Sequence, residues 1–377
     1  MTMRVAIADD LSGAAEIGGC ALLNGFSAEV LLDSWQPSSC DVVIIDTNTR
    51  SDGEETVVGK LQTVLGELSE VKCDIYKKVD SVLRGSVALE LRTMMECARY
   101  SHCLLVNANP RRQRVVLAGK LMVEGRPLDE TDFAEDPEHP CRTSDVRQLL
   151  GDYESEIVSP GELSRKPCVS IGNAGSSDDL LLHAKTWYSN RAHLLPCGGA
   201  EFFEAWLQVS DQYPSKRVRD EKRSVLLADS HFHDGFKKRL IVSGSALAQP
   251  TNFPCIPSTI LQGEAAKQLE QLTTLLNTHG TLAMRASEWT NHQPEDRLNQ
   301  FLNTAKFFIH ELMLESVWIE GGHTASMLLR RLGCTRLKVT SVLAEGVVEL
   351  TTNSASFPRF VIKPGSYSWP ESSYLST

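Results

Sequence analysis

Short apolar strands alternate with amphipathic helices through the first hundred residues, and this alternation limits the folds that the chain can adopt. The pattern predicts strands at 4–8, 28–32, 41–46, 74–79 and 103–107, and helices at 13–24, 54–68 and 86–100. Such alternation is typical of a parallel, doubly wound sheet. Ligands of these sheets bind beyond the carboxyl ends of the strands. We therefore expect an α/β fold with its site at that edge.

The length of 377 residues exceeds that of one ordinary domain, so two domains are expected. Pro214 and the mixed charges of 216–223 lie in a stretch with few sustained apolar faces, which is typical of a linker. Further strands are predicted beyond it at 239–242, 281–284, 316–319, 337–342, 347–350 and 360–362. We predict an αβ domain at 1–209, a linker at 210–235, a second αβ domain at 236–377, and a cleft between the domains.

Composition excludes several functional classes. The 38 basic and 48 acidic side chains give a net charge of -10, which makes nucleic acid an unfavourable partner. The ten cysteines include no CxxC pair, and neither they nor the ten histidines, His231 and His233 among them, have metal-ligand spacing. No stretch approaches the roughly 20 apolar residues of a membrane span. We expect a cytoplasmic protein with reduced thiols, no protein-bound metal cluster and no membrane partner.

Acidic and basic side chains follow the predicted strands. Asp9 and Asp10 end the first strand, while the segment at 75–85 combines Lys78, Asp80, Ser81 and Arg84. Arg50 follows the strand at 41–46. A carboxylate could accept the proton of an attacking hydroxyl or hold Mg²⁺, and guanidinium groups bind planar anions through two hydrogen bonds. The combination predicts phosphoryl transfer to an acidic substrate, with Asp10 as base.

Each of these residues also has a purely structural interpretation. Asp10, followed by Ser12 and Gly13, could simply cap the next helix. Arg84 and Arg50 could be solvated surface residues.

Glycines follow two strands of the second half and indicate anion binding by backbone amides. Gly321, Gly322 and Thr324 precede a predicted helix, whose N-terminus favours phosphate. Ser243, Ser245 and Gly365 follow other strands. The patterns GxxxxGK[ST] and GxGxxG are absent, and a tight turn with Thr324 as a helix cap explains the first segment equally well.

Seven segments together resemble the four-carbon acid sugar kinase family. ADDLSGA is similar to the family opening ADD[FL]TGA, and KKVDSVLRG to KK[IV]DSTLRG. The others, in family order, are TNTRS, NPRRQRVVLAGKLMVEGRPLDETDFAEDPEHP, VSGSA, GGHTASMLLRRLG and IKPGSYS.

This resemblance implies an N-terminal substrate domain and a C-terminal nucleotide domain, with ATP and Mg²⁺ in the cleft. It implies phosphorylation of the terminal hydroxyl of threonate, erythronate or a 3-oxo-tetronate, with a homodimer left open. The catalytic candidates are Asp9 and Asp10; the candidates for the sugar acid are Arg50, Lys78, Asp80, Ser81 and Arg84. Those for the nucleotide are Ser243, Ser245, Gly321, Gly322, His323, Thr324 and Gly365.

The chain departs from the family at several positions. His323 stands where the family has an acid, Val82 replaces a threonine, and Ser368 replaces a glycine. The sequence ALAQPTNF after Ser245 replaces a Ser-Pro-rich continuation. These changes raise the alternative of a weak or inactive relative that binds a sugar acid without turnover. A nicotinamide dehydrogenase fits the αβ alternation but lacks the glycine fingerprint.

Overall fold

The structure is a computed structural model and describes most of the chain. The described residues are 2–98, 100–136, 139–151, 153–210, 238–244, 253–257, 265–286, 294–365 and 367–369. The predicted linker, apart from Ser210, lies outside them, as does Ser245.

Residues up to 107 alternate strands and helices as predicted, with ends that shift by one or two residues. The elements before the first excursion from the sheet are β1 (Met3–Ala8), α1 (Leu11–Leu23), β2 (Ala28–Leu32), β3 (Val42–Asp46), α2 (Glu54–Leu68), β4 (Cys73–Lys78), α3 (Val87–Ala98) and β5 (His102–Val106). A small antiparallel sheet follows, built from β6 (Arg114–Leu117), β7 (Lys120–Val123) and β8 (Arg126–Pro127). The first half closes with α4 (Val146–Leu149), β9 (Ser155–Val158), β10 (Val169–Gly172), α5 (Ser177–Asn190), β11 (Leu194–Gly198) and α6 (Ala200–Gln208).

The second half repeats this alternation and then adds an antiparallel hairpin. Its described elements are β12 (Arg239–Ser243), α7 (Ala265–His279), β13 (Thr281–Arg285), α8 (Pro294–Glu311), β14 (Ser316–Glu320), α9 (Gly322–Arg331), β15 (Arg336–Ala344), β16 (Val347–Thr351) and β17 (Arg359–Lys363). None of the helices in the described part of the chain is both long and apolar enough to cross a membrane.

Fourteen of the described strands form one sheet, in the order β13-β12-β14-β17-β16-β15-β2-β3-β1-β4-β11-β5-β10-β9. In this order, the eight strands at one end of the sheet, β2-β3-β1-β4-β11-β5-β10-β9, are parallel to one another. Strands β12, β13, β14 and β17 at the other end form a second parallel block. The hairpin of β15 and β16 joins these two parallel blocks through antiparallel pairs with β2 and β17. The α/β fold class is therefore confirmed, while the domain boundaries stay a prediction.

Helix α1 packs against strands of both blocks. Two glycines let α1 pack closely on the hairpin of β15 and β16. A Cβ atom on Gly18 would lie 2.9 Å from a methyl group of Val339, and one on Gly19 would lie 2.9 Å from a methyl group of Val348. The three antiparallel pairings between the blocks make them run in opposite directions, so a flat sheet would hold their carboxyl ends at opposite edges. Strands twist relative to their neighbours, and this twist accumulates across the sheet. The residues that follow β1 and β14 nevertheless lie against each other at the start of α1, where a Cβ atom on Gly322 would overlap with Asp10.

Candidate active site

Asp9 and Asp10 lie directly after β1, where the sequence predicted the catalytic acids. Asp10 caps α1 by accepting hydrogen bonds from the Gly13 amide at 2.9 Å and the Ser12 hydroxyl at 2.6 Å. Both carboxylates are at most 5% exposed. The cap interpretation of Asp10 is thus right as local structure. It leaves a base role open, because a carboxylate has several lone pairs.

Arg50 gathers three of the predicted site acids. It lies in the loop after β3, and its guanidinium donates to Asp9 at 2.7 Å and to Asp10 at 2.8 Å, with Asp80 at 3.6 Å. Burial alone would raise the pKa of Asp10, but Arg50, the Ser12 hydroxyl and other donors outweigh it and lower the pKa below its ordinary value. Asp10 is therefore ionised at neutral pH.

Asp80 and Arg84 form the second half of this charge cluster. Arg84 donates to both carboxylate oxygens of Asp80, at 2.9 and 2.8 Å, and to Asp136 at 2.8 Å. Burial would raise the pKa of Asp80, yet Arg84 and Arg50 hold it well below its ordinary value. Since Arg84 already binds two protein carboxylates, its predicted contact with a substrate anion would require it to share or exchange these partners.

Val82, one of the departures from the family, lies inside the apolar cluster between the sheet and α3 and is fully buried. Valine fills this position without a hydroxyl that would need a hydrogen-bond partner. The change from threonine is therefore explained by packing.

The two lysines that end β4 point to opposite faces of the sheet, as alternation along a strand requires. Lys77 is fully buried and pairs with Glu90 of α3 at 2.9 Å. Lys78 faces α1, where its ammonium donates to the Val79 carbonyl at 2.9 Å and lies 3.5 Å from Glu16. Only Lys78 of the pair can reach the site.

A narrow pocket opens at this edge of the sheet. Among the predicted substrate residues, Lys78 and Ser81 line it. The sequence interpretation assigned no site role to Glu16, Asn107 or Tyr367, which also line the pocket, whereas it expected the polar segment that begins at Asn109, a further lining residue, at this edge. Asn107 could have been found because it ends the predicted strand at 103–107. Tyr367 could have been found because it belongs to the family-like segment IKPGSYS. Glu16 gave no signal, because it lies inside a helix.

The nucleotide candidates lie together at the carboxyl ends of neighbouring strands. Ser243, Glu320 and Lys363 are in register across β12, β14 and β17. Ser243 donates to Glu320 at 2.6 Å, and Lys363 forms an ion pair with Glu320 in which both side chains are fully buried. Thr324 packs so closely on Gly244 that a Cβ atom there would clash with it.

Gly321, directly before α9, adopts a left-handed backbone conformation that favours glycine. Gly321 precedes the helix with φ of 100°, a value that residues with a side chain rarely adopt, and its amide donates to the Lys363 carbonyl at 3.0 Å. His323 is exposed in the first turn, and Gly365 follows β17.

Gly322 connects the two groups of candidates. A Cβ atom at this position would overlap with Asp10 Oδ2 and lie 2.8 Å from Ser12 Oγ. The N-terminus of α9, with its partial positive charge, therefore lies against the Asp10 carboxylate. The structure thus brings the first acidic motif and GGHT into contact.

Asp46 forms a further link between the halves. It ends β3, is fully buried, accepts a hydrogen bond from Ser326 of α9 at 3.1 Å and lies 3.3 Å from Arg330. Burial raises the pKa of Asp46 to about 6, although Arg330 acts in the opposite direction.

We expect the Asp46→Asn variant to reveal this titration in the stability of the protein. A carboxyl whose folded pKa exceeds its ordinary value of 3.8 stabilises the fold at low pH and loses that contribution as the pH rises through about 6. Relative to the variant, the native protein should lose about 2 kcal/mol of unfolding free energy between pH 4.5 and 7.5. Urea titrations of both proteins measure this difference. A difference that does not change with pH would contradict the assignment.

Comparison with known proteins places these motifs in a family. A family model described as the sugar-binding N-terminal domain matches residues 4–200. A D-threonate kinase of Salmonella typhimurium is 31% identical over 90% of this chain and 89% of its own length. The chain belongs to the four-carbon acid sugar kinase family. The family resemblance seen in the sequence is therefore confirmed.

Two further comparisons cover parts of the chain or its fold. A D-erythronate kinase of Heliobacterium modesticaldum is 29% identical over 42% of this chain and 38% of its own length. A solved structure from Haemophilus influenzae, assigned to a domain family of unknown function, superposes with a TM-score of 0.68 at 15% identity. It covers 99% of this chain and all of its own, which shows a shared fold.

Proposed function

We propose that this protein is an ATP-dependent kinase that phosphorylates the terminal hydroxyl of a four-carbon sugar acid of the threonate, erythronate or 3-oxo-tetronate type. The contact between Asp10 and Gly322 carries the proposal, because a phosphoryl-transfer site needs its base beside the loop that holds the phosphates. The kinase names of the curated relatives support the same reaction.

The residues divide into roles that follow their positions. Asp10 accepts the proton of the attacking hydroxyl, and Lys78 lies beside the pocket where the sugar acid binds. Backbone amides at the start of α9 face the triphosphate. Positioning of the two substrates supplies most of the catalysis in such reactions.

Mg²⁺ fits the acids after β1, and we propose it as the metal of the reaction. Magnesium prefers oxygen ligands and is usually held by one or two carboxylates together with substrate phosphates and water. Asp9 Oδ1 is a buried carboxylate oxygen without a partner among the described residues, so Asp9 would hold the ion while Asp10 acts as the base. Bound there, it would neutralise charge that develops on the phosphates.

The alternative of an inactive relative is not favoured. His323 is exposed in the first turn of α9 and Val82 is a packing residue, so neither change disrupts the contact between the halves. The altered continuation after Ser245 lies outside the described residues. A cytosolic location and a homodimer stay predictions from the sequence.

The decisive experiment measures ADP release by the purified protein with ATP and Mg²⁺ across D- and L-threonate, D- and L-erythronate and 3-oxo-tetronates. We expect turnover that depends on one or two of these acids. Stabilisation against heat by ATP, measured separately, tests nucleotide binding without turnover. Sugar-acid binding with no ADP release from any acid would establish the inactive relative instead.

A further inference from the structure

The pocket lined by Lys78 has two asparagine acceptors that no group in the described part of the chain satisfies. Asn107 and Asn109 line it from the loop after β5, and they are 3% and 8% exposed. The Oδ1 atoms of both are buried and have no hydrogen-bond partner among the described residues. A buried acceptor left unpaired destabilises the fold, so such atoms usually face a ligand or bound water.

The orientation of the Asn107 amide is fixed by its other end. Its Nδ2 atom donates to the carbonyls of Asp80 at 3.2 Å and Ser81 at 3.1 Å. Carbonyl oxygens only accept hydrogen bonds, so the NH₂ group must face them and Oδ1 must face away. Asn107 thus presents an acceptor, which can bind a hydroxyl but would repel a carboxylate.

Cationic groups occupy other parts of the pocket and its surroundings. Lys78 lines it directly, and Arg114 donates to the lining residue Ser81. The guanidinium of Arg112 lies 3.8 Å from the centre of the Tyr367 ring. A ligand that carries both an anionic group and hydroxyl donors therefore matches this lining better than a purely anionic one.

Tyr367 forms one wall of the pocket, although it comes from the far end of the chain. Its hydroxyl donates to Glu16 at 3.0 Å, and its carbonyl accepts from Lys363 at 2.6 Å. These two hydrogen bonds fix Tyr367 between Glu16 of α1 and Lys363 of β17.

We propose that Asn107 and Asn109 determine substrate specificity by accepting hydrogen bonds from the non-reacting hydroxyls of the sugar acid, inside the pocket that Tyr367 closes. This inference rests on the proposed function and names how its substrate is recognised. A site that accepts from a hydroxyl discriminates against analogues that lack it, because its own buried acceptor is then left unpaired.

The test combines ligand and protein changes in direct binding measurements without ATP. Calorimetry would compare the preferred four-carbon acid with its 2-deoxy and 3-deoxy analogues for the native protein, Asn107→Ala and Asn109→Ala. We expect the native protein to lose roughly tenfold in affinity for at least one analogue. The variant that lacks the matching acceptor should bind the parent acid about tenfold more weakly and show no further loss for that analogue.

The Asn190→Ala variant serves as the control, since its side chain bonds within α5 on the exposed surface. It should bind every ligand like the native protein. Asn109→Ala keeps the inference testable if Asn107→Ala fails to fold, because the Asn107 side chain also holds the loop after β4. Unchanged affinity for the parent acid in both asparagine variants would overturn the inference.

Binding and turnover separate this inference from the proposed function. If the native protein binds and phosphorylates the parent acid while the variants bind it normally, the kinase assignment stands and the recognition by asparagine fails. If binding shows the expected coupling but no ADP is released, the recognition stands and the kinase assignment fails.

Discussion

Replacing Asp10 by asparagine is expected to lower the kcat of sugar-acid-dependent ADP release by about 10³-fold, within the 10²–10⁴ range typical for loss of a general base. The variant should remain folded, because asparagine caps helices about as well as aspartate and Arg50 keeps Asp9 and Asp80 as partners. Steady-state kinetics with a circular-dichroism check of folding measures the effect.

Asp52→Asn is the matched control for this prediction. Asp52 also forms an ion pair, with Lys60 at 2.7 Å, but its side chain is 29% exposed and is not among the nearest neighbours of Gly322. Its kcat should stay within a factor of two of the native value. A kcat for the Asp10 variant within tenfold of native would exclude Asp10 as the base and direct attention to Asp9.

Replacing Lys363 by methionine is expected to destabilise the protein by about 3–5 kcal/mol, because it leaves the Glu320 carboxylate buried without its ion-pair partner. Burial lowers the pKa of Lys363, while Glu320 opposes that change. Each charge is therefore favourable in the interior only while the other is present. Equilibrium unfolding in urea measures the loss. The KM for the sugar acid should also rise, since Lys363 holds the carbonyl of Tyr367.

Two further variants complete this experiment. The double variant Lys363→Met with Glu320→Gln should recover part of the stability, since no unpaired charge is then buried. Lys60→Met breaks a pair with 33% and 29% exposed side chains and should cost at most about 1 kcal/mol. Strictly additive losses in the double variant would show that the buried pair is not the cause.

Much of the fold was predictable because the pattern that specifies it is local. The alternation of apolar strands and helices correctly indicated β1 to β5 with α1 to α3, apart from shifts at their ends. The same reasoning located Asp9, Asp10 and Lys78 at the carboxyl edge of a parallel sheet. Their exact roles stay predictions, because a role depends on distances to a substrate.

Other site residues could not be predicted because their environment is built from distant parts of the chain. Glu16 meets Tyr367 across 351 positions, and Asp46 meets Ser326 across 280. The raised pKa of Asp46 results from complete burial, which no local pattern reports. The ion pair of Arg84 with Asp136 could not be predicted either, since Asp136 comes from a loop after β8.

The sequence by itself determined β1 to β5, α1 to α3, and the acidic, basic and glycine-rich segments at the strand ends, since propensity and hydrophobic periodicity act over a few neighbouring residues. The tertiary structure decided that β15 pairs with β2, so that both halves share one twisted sheet. That pairing depends on contacts between residues about 300 positions apart. In this sheet, with α1 packed across the pairing, Gly322 lies against Asp10, and one site is assembled from two motifs that the sequence keeps far apart.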